Sequence, residues 1–458
     1  MEQNAVPNAA NWCDGLKFNR FHVMTVFIAW LIICFDGYTY AVLSYAIPQI
    51  MKEWRLTPVE AGSIVSYTFC GLMIGAAGFG MLGDIIGRKL PLMIGLFLFS
   101  AFTGLGYWAP NFATLCVLRF LAGLGMGGAS PLTAALISEF VPAKVRAKAV
   151  TVVFMGLGAG GALGSVIAMT VLPRFGWRSL FLVEFASLLL IPVVYYVLPE
   201  SVRFLAQKGL YDRAIAELRR IEKGAGVAAI KWTRESFVLP VYAKAGLKDL
   251  FKPNLALMTI FIWCTYFFNM IALYGLINWL PAVLMKAGHS VVRSYGYTFT
   301  LHSGTIFGTI LLGYLMDRFG RKQALVPVLI LGGIAVWLFG VATGSALYVV
   351  AAGAGFFLGA SASGITVVAG ESYPTRFRST GTGWALTIGR LGAIAGPVVG
   401  GAIQMANFSF GQFFIVFAIP CFICAMLVMS YRVNVKGESL EVVTGKLTGA
   451  AEDRLAAG

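Results

Sequence analysis

The chain has 458 residues, of which 58% are hydrophobic and only 12% charged, with a formal net charge of +15. Soluble domains average about 25% charged residues, so the composition excludes an ordinary soluble enzyme and turns most of the chain toward lipid or other helices. A nucleic-acid partner would need a basic face on a soluble module; here the charges lie in short loops between long apolar runs, and no such partner is expected.

Taken in chain order, the first ~20 residues are polar and carry no cleavable signal pattern. A membrane-spanning helix needs about 20 apolar residues. Twelve stretches meet that need: roughly 21–43 (span 1), 62–83 (span 2), 91–109 (span 3), 113–138 (span 4), 148–172 (span 5) and 178–198 (span 6), then 256–283 (span 7), 297–317 (span 8), 324–343 (span 9), 346–370 (span 10), 380–403 (span 11) and 411–431 (span 12). Between spans 6 and 7 the polar stretch Pro199–Pro253 is read as a linker, with an amphipathic helix over Tyr211–Lys223. The expected division is 1–198 as a first six-helix half, 199–255 as a cytoplasmic linker, 256–435 as a second half and 436–458 as a cytoplasmic tail.

The halves echo each other. GMLGDIIGRK at Gly80–Lys89 returns as GYLMDRFGRK at Gly313–Lys322, so Asp84, Gly87, Arg88 and Lys89 reappear 233 positions on as Asp317, Gly320, Arg321 and Lys322. Glu139, Pro142 and Arg146 recur 232 positions on as Glu371, Pro374 and Arg378. Such a duplication predicts an all-α integral membrane protein with two pseudo-symmetric halves, the usual plan of a secondary transporter. Glycines cluster on span 5 (Gly156, Gly160, Gly164) and on its counterpart span 11 (Gly392, Gly396, Gly400). Small residues at four-residue spacing let helices approach closely, so these two spans are expected to pack tightly at matching interfaces.

Basic residues crowd the linker and the loops after spans 2, 4, 8 and 10, whereas the loops after spans 3, 9 and 11 hold no Lys or Arg. By the positive-inside rule both termini are expected to be cytoplasmic. Seven cysteines are present; Cys421 and Cys424 form a CxxC by spacing alone, inside an apolar run with no nearby histidine. They are read as packing residues. No cofactor or metal is expected. Three histidines scattered over separate elements (His22, His289 and His302) assemble no catalytic set, and the chain is not expected to be an enzyme.

Charge inside a spanning helix costs roughly 2.5–3.5 kcal/mol at its centre on the insertion scale and marks function by default. The intramembrane set is Asp36, Arg119, Glu184, His302 and Arg390. Asp36 and Arg119 fall at similar depth, so an ion pair between them is expected, which protonation of the aspartate would open. Arg390 lies near the middle of span 11, with no acidic residue of spans 7–12 at its depth. It is assigned to a substrate carboxylate, which a guanidinium can grip through two parallel hydrogen bonds. His302 is a further proton-coupling candidate. For Glu184, near an end of span 6, packing is the leading reading. Tyr38, Tyr266, Trp279 and Trp384 supply rings that could sandwich an aromatic substrate, and Asn269 could hydrogen-bond a ring hydroxyl.

The repeated loop motif, together with LRFLAGLGMGG at Leu118–Gly128, resembles the major facilitator superfamily over nearly the whole chain. FNRFH at Phe18–His22, FDGY at Phe35–Tyr38, ESYPTRFRSTGTGW at Glu371–Trp384 and GRLGAIAGP at Gly389–Pro397 are similar to its aromatic acid:proton symporters. The resemblance implies a major facilitator fold and a monomer in the cytoplasmic (inner) membrane. It implies uptake of a small organic anion, such as benzoate or hydroxybenzoate, together with protons and by alternating access. Nicotinate, quinate and small dicarboxylates would satisfy the same residues. It also implies a gating role for Asp84, Arg88, Glu139 and Arg146 and for Asp317, Arg321, Glu371 and Arg378. One position departs from the pattern: Thr39 stands where that family often has a second acid in span 1. The alternative, a proton-driven efflux antiporter for drugs or organic acids, is disfavoured because span 5 has Gly160-Gly161 and no proline before Pro173.

Overall fold

The computed structural model describes residues 8–9, 12–237, 247–251, 253–373 and 378–430, the side chains at 249, 253, 254, 378 and 379 excepted. The described residues form helices and no strand. Among the described residues, twelve helices are long and apolar enough to cross a membrane: Arg20–Trp54, Pro58–Ile86, Lys89–Trp108, Phe112–Phe140, Ala143–Phe175 and Arg178–Val197 are spans 1–6. Leu255–Lys286, Val291–Phe319, Arg321–Leu338, Ala346–Ser372, Thr380–Met405 and Phe410–Ser430 are spans 7–12. All twelve expected stretches are therefore helical, most of them several residues longer than their apolar cores. Large apolar side chains such as Phe97, Val117, Tyr196, Phe307 and Val349 stand exposed on them, as helices facing hydrocarbon require.

The chain divides into two compact units that cut across the sequence halves. Unit 1 holds Met1–Val42, Tyr67–Gly164 and Arg174–Val241; unit 2 holds Leu43–Ser66, Ser165–Pro173 and Tyr242–Gly458. The expected tail, 436–458, lies outside the described residues.

Within unit 1, span 5 lies so close to span 1 that a Cβ at Gly160 would overlap the Cys34 carbonyl oxygen. Within unit 2, a Cβ at Gly392 of span 11 would overlap the Phe267 carbonyl oxygen of span 7. The two glycine-rich helices thus pack against equivalent partners, as the repeat requires. The repeated loop motif shows the same correspondence: Gly87 and Gly320 both take φ near +100° (101° and 102°), a left-handed geometry that side chains resist. This reverses the chain between spans 2 and 3 and between spans 8 and 9.

The FNRFH segment starts span 1. Asn19 Oδ1 accepts from the Phe21 amide at 3.0 Å, and His22 Nδ1 accepts from the Asn19 amide at 3.1 Å. This pair satisfies amide donors that a helix start leaves open.

The linker is built into unit 1. Tyr211–Ala225 is helical and ends at Gly226 with φ +66°. Its Ala214, Leu218 and Ile221, spaced four and three residues apart, bury against a core that includes Cys13, Phe21, Leu136 and Phe140. Glu222 Oε1 accepts from Trp232 Nε1 at 2.8 Å, and Trp12 packs edge-on against Trp232. Burial, reinforced by Asp14 and Glu139, pushes the Cys13 thiol up to about 12, so it stays protonated and inert near neutral pH. Cys421 and Cys424 are buried free thiols on span 12, and Cys424 Sγ donates to the Thr265 carbonyl at 3.3 Å.

Candidate functional site

Three charged residues lie buried at membrane depth in unit 1: Asp36 on span 1, Arg119 on span 4 and Glu184 on span 6, none more than 1% exposed. Arg119 donates through Nε to Thr68 Oγ1 at 3.2 Å, through one terminal nitrogen to Thr103 Oγ1 at 3.1 Å and through the other to the Thr39 carbonyl at 2.8 Å. Asp36 is not among its hydrogen-bond or ion-pair partners, which corrects the expected Asp36–Arg119 pair. The physical reason is that hydroxyls on spans 2 and 3 and a carbonyl of span 1 occupy the guanidinium. The carboxylate whose field reaches Arg119 is Glu184. Asp36 Oδ2 instead accepts from Ser130 Oγ at 2.6 Å. The sequence carried no signal for Ser130, Thr68 or Thr103, since hydroxyl residues are common in spanning helices.

Glu184 Oε1 accepts from Ser187 Oγ at 3.3 Å, while the Thr39 hydroxyl donates to the Phe35 carbonyl at 3.0 Å. Tyr38 is 2% exposed and its hydroxyl donates to the Leu180 carbonyl at 2.7 Å, which ties span 1 to span 6.

In unit 2, Arg390 is half-buried on span 11. The preceding residue, Gly389, lies against the ring of Tyr266, whose hydroxyl donates to Thr366 Oγ1 at 2.8 Å. Asn269, one turn along span 7 from Tyr266, is fully buried and donates to Ser361 Oγ at 2.7 Å. Its Oδ1 has no hydrogen-bond partner among the described residues. Trp384 is exposed and stacks on Trp263 with ring centroids 6.2 Å apart. Trp279 is buried and donates through Nε1 to the Pro397 carbonyl at 2.8 Å, so it braces span 7 against span 11. His302 is 7% exposed, with its Nε2 unpartnered among the described residues. The same residues include no cluster of three or more metal-ligating side chains.

The repeated loop residues form matching ion pairs. Arg88 pairs with Glu139 in unit 1. Arg321 grips Glu371 in unit 2 through Nε and a terminal nitrogen, both at 2.7 Å, and also reaches Asp317 at 2.6 Å. Arg146 pairs with Asp14, ahead of span 1, rather than with Glu139. Asp84 is exposed and makes no ion pair among the described residues. The Arg378 side chain lies outside them. A residue with no place in the expected network, Glu200, caps span 3: its Oε1 accepts from the amides of Arg88 at 2.9 Å and Lys89 at 3.2 Å. A carboxylate at a helix start is favoured by the exposed amides and the dipole.

With this geometry in hand, the chain can be set beside known proteins. It matches the family described as Major Facilitator Superfamily over residues 29–303 and 262–450. It is 33% identical to a benzoate transport protein of Acinetobacter baylyi, with 88% of each chain covered. It is 31% identical to a gallate transporter of Pseudomonas putida, covering 92% of this chain and 94% of the relative. It is 30% identical to the niacin transporter NiaP of Acinetobacter baylyi, covering 94% and 98% respectively. A solved inward open structure of the xylose transporter XylE from E. coli superposes with a TM-score of 0.75 at 19% identity, covering 93% of this chain and 99% of that one. At that identity the likeness establishes the fold.

Proposed function

From the premise that this chain belongs to the Major Facilitator Superfamily, we propose that it imports a small aromatic carboxylate into the cell together with protons, across a bacterial inner membrane. Benzoate, gallate and niacin, the compounds named for its relatives, share a carboxylate on a six-membered aromatic ring. The observation that carries the reading is Arg390, half-buried on span 11 one residue past Gly389, which packs on Tyr266 of span 7. It supplies a cation for the carboxylate, and Asn269, one turn along span 7 from Tyr266, adds a buried amide oxygen. Such pockets hold a few placed polar groups among apolar ones. The proton is assigned to the buried charges of unit 1, with Asp36 as carrier. His302 is the reserve candidate in unit 2.

Uptake into proteoliposomes tests the proposal. Labelled benzoate, 4-hydroxybenzoate, gallate and niacin are offered under an imposed inward proton gradient. At least one acid is expected to accumulate saturably, and a protonophore is expected to collapse the accumulation. Uptake of none above empty vesicles, or uptake indifferent to the protonophore, would sink it.

The same reading places the basic loops and the linker on the cytoplasmic side. Thiol labelling checks this, with the inert Cys13 adding little background near that end. Lys208→Cys and Arg213→Cys should react only after permeabilisation, and Asn407→Cys, between spans 11 and 12, in intact cells. The reverse pattern would invert the orientation.

A further inference from the structure

We propose that an anionic phospholipid binds unit 1 in a groove between the first turns of spans 1 and 5, with one acyl chain along the groove and its phosphate at Lys148. The groove measures about 640 Å³. The inference needs only that the chain spans a membrane, and it does not depend on what the carrier moves.

The sequence builds the groove. On span 1, Val23, Phe27 and Trp30 recur after four and three residues; on span 5, Val145, Lys148 and Val152 recur after three and four. Each set makes one helix face, and the two faces are the walls. Ala149, only 7% exposed, is a short floor between them. The deep end closes at Gly156, where a Cβ would lie 2.7 Å from the Trp30 carbonyl oxygen. There the helices touch; toward their starts, valines and a lysine on span 5 take the place of glycine and hold them apart. From Arg20 to Trp30 is ten residues, about 15 Å of helix. That is half of a hydrocarbon core of about 30 Å, the depth of one leaflet. Val23 and Phe27 are each 55% exposed. Exposed apolar side chains are ordinary on spanning helices; what sets this face apart is its concavity and its charge.

Lys148 lies five residues into span 5, which begins at Ala143. From there a lysine can lay its stem along an apolar wall and hold its ammonium at headgroup level. Lys144 sits one turn ahead of it, and Arg20 sits one turn ahead of Val23. All three cations are exposed, and none makes an ion pair among the described residues. Neither wall offers an acid: span 5 has no Asp or Glu, and the first on span 1 is Asp36. Asp14, ahead of span 1, is paired with Arg146. Uncompensated cations at the mouth of an apolar groove complement a phosphate carried on an acyl chain. Each Lys or Arg near an anionic membrane surface is worth about fivefold in affinity. A zwitterionic lipid would fill the groove without answering the charge, and a small aromatic acid would leave most of its length empty.

Trp30, one of ten tryptophans, reports from inside the groove. The purified protein in detergent is titrated with phosphatidylglycerol carrying brominated acyl chains, and the quenching that Trp30→Phe abolishes is followed. That component should saturate. Phosphatidylcholine with the same chains should need at least ten times the concentration for half-saturation. Lys148→Gln should raise the phosphatidylglycerol midpoint about fivefold, and Lys148→Arg should leave it within twofold of wild type. Val152→Phe, a filler at an exposed position, should remove the same component, and it serves as the reference if Trp30→Phe does not fold. Equal midpoints for the two lipids would overturn the proposal, as would a midpoint unchanged in Lys148→Gln. Loss of the component on adding excess 4-hydroxybenzoate would give the groove to the free acid and overturn it too. The two-lipid comparison on wild type keeps the test open even if a Lys148 variant is not recovered.

Discussion

Arg390→Ala is expected to abolish measurable uptake of the aromatic acid while the protein still reaches the membrane. Arg390 is half-buried twelve residues beyond Arg378 on span 11, or about 18 Å along the helix. Truncating one partner of a buried, hydrogen-bonded charge pair costs ~2–5 kcal/mol, and each 1.4 kcal/mol is about a factor of ten in Kd. The affinity loss should therefore be roughly 30-fold to several-thousand-fold. Arg390→Lys should recover little, since an ammonium offers a point charge where the guanidinium offers a planar fork. The adjacent Gly389 packs on Tyr266, so the backbone here is held by contacts that neither substitution touches. Isothermal titration of the purified protein with the transported acid gives the number directly. Affinity in Arg390→Ala within threefold of wild type would remove Arg390 from the site.

Asp36→Asn should separate driving force from translocation. Asp36 is fully buried, and its Oδ2 accepts from Ser130. An asparagine oxygen can accept the same bond, so the variant keeps its local packing while losing the charge. With the charge fixed at zero, the residue can no longer bind and release a proton. Accumulation against a gradient should fall at least tenfold, whereas counterflow of labelled for unlabelled acid, which moves no net proton, should persist. Accumulation by Asp36→Asn that still follows an imposed pH gradient would place the proton elsewhere, with His302 or Glu139 next to be tested.

The sequence by itself determined the class of this protein. Runs of about 20 apolar residues at twelve places leave the backbone no way to satisfy its amides in hydrocarbon except as helices, and twelve such helices are found among the described residues. The duplicated loop motif was legible for an equally local reason. Gly87 and Gly320 both occupy left-handed geometry that a side chain would strain, so the two copies share a backbone as well as a spelling. The amphipathic spacing of Ala214, Leu218 and Ile221 marked the linker helix and the face it buries.

Only the tertiary structure decided which groups meet. Equal depth on two helices suggested an Asp36–Arg119 pair, but depth says nothing of the direction in which a side chain points around its helix. Arg119 faces Thr68, Thr103 and the Thr39 carbonyl, Asp36 faces Ser130, and Glu184 enters from span 6. Likewise Arg146 was grouped by repeat spacing with Glu139, yet it pairs with Asp14, because the segment ahead of span 1 folds back beneath spans 4 and 5. Apolar periodicity is set along the chain and can be read there. The partner of a buried charge is set by rotation and by contacts between segments 16 to 132 residues apart, and it exists only once the helices have packed.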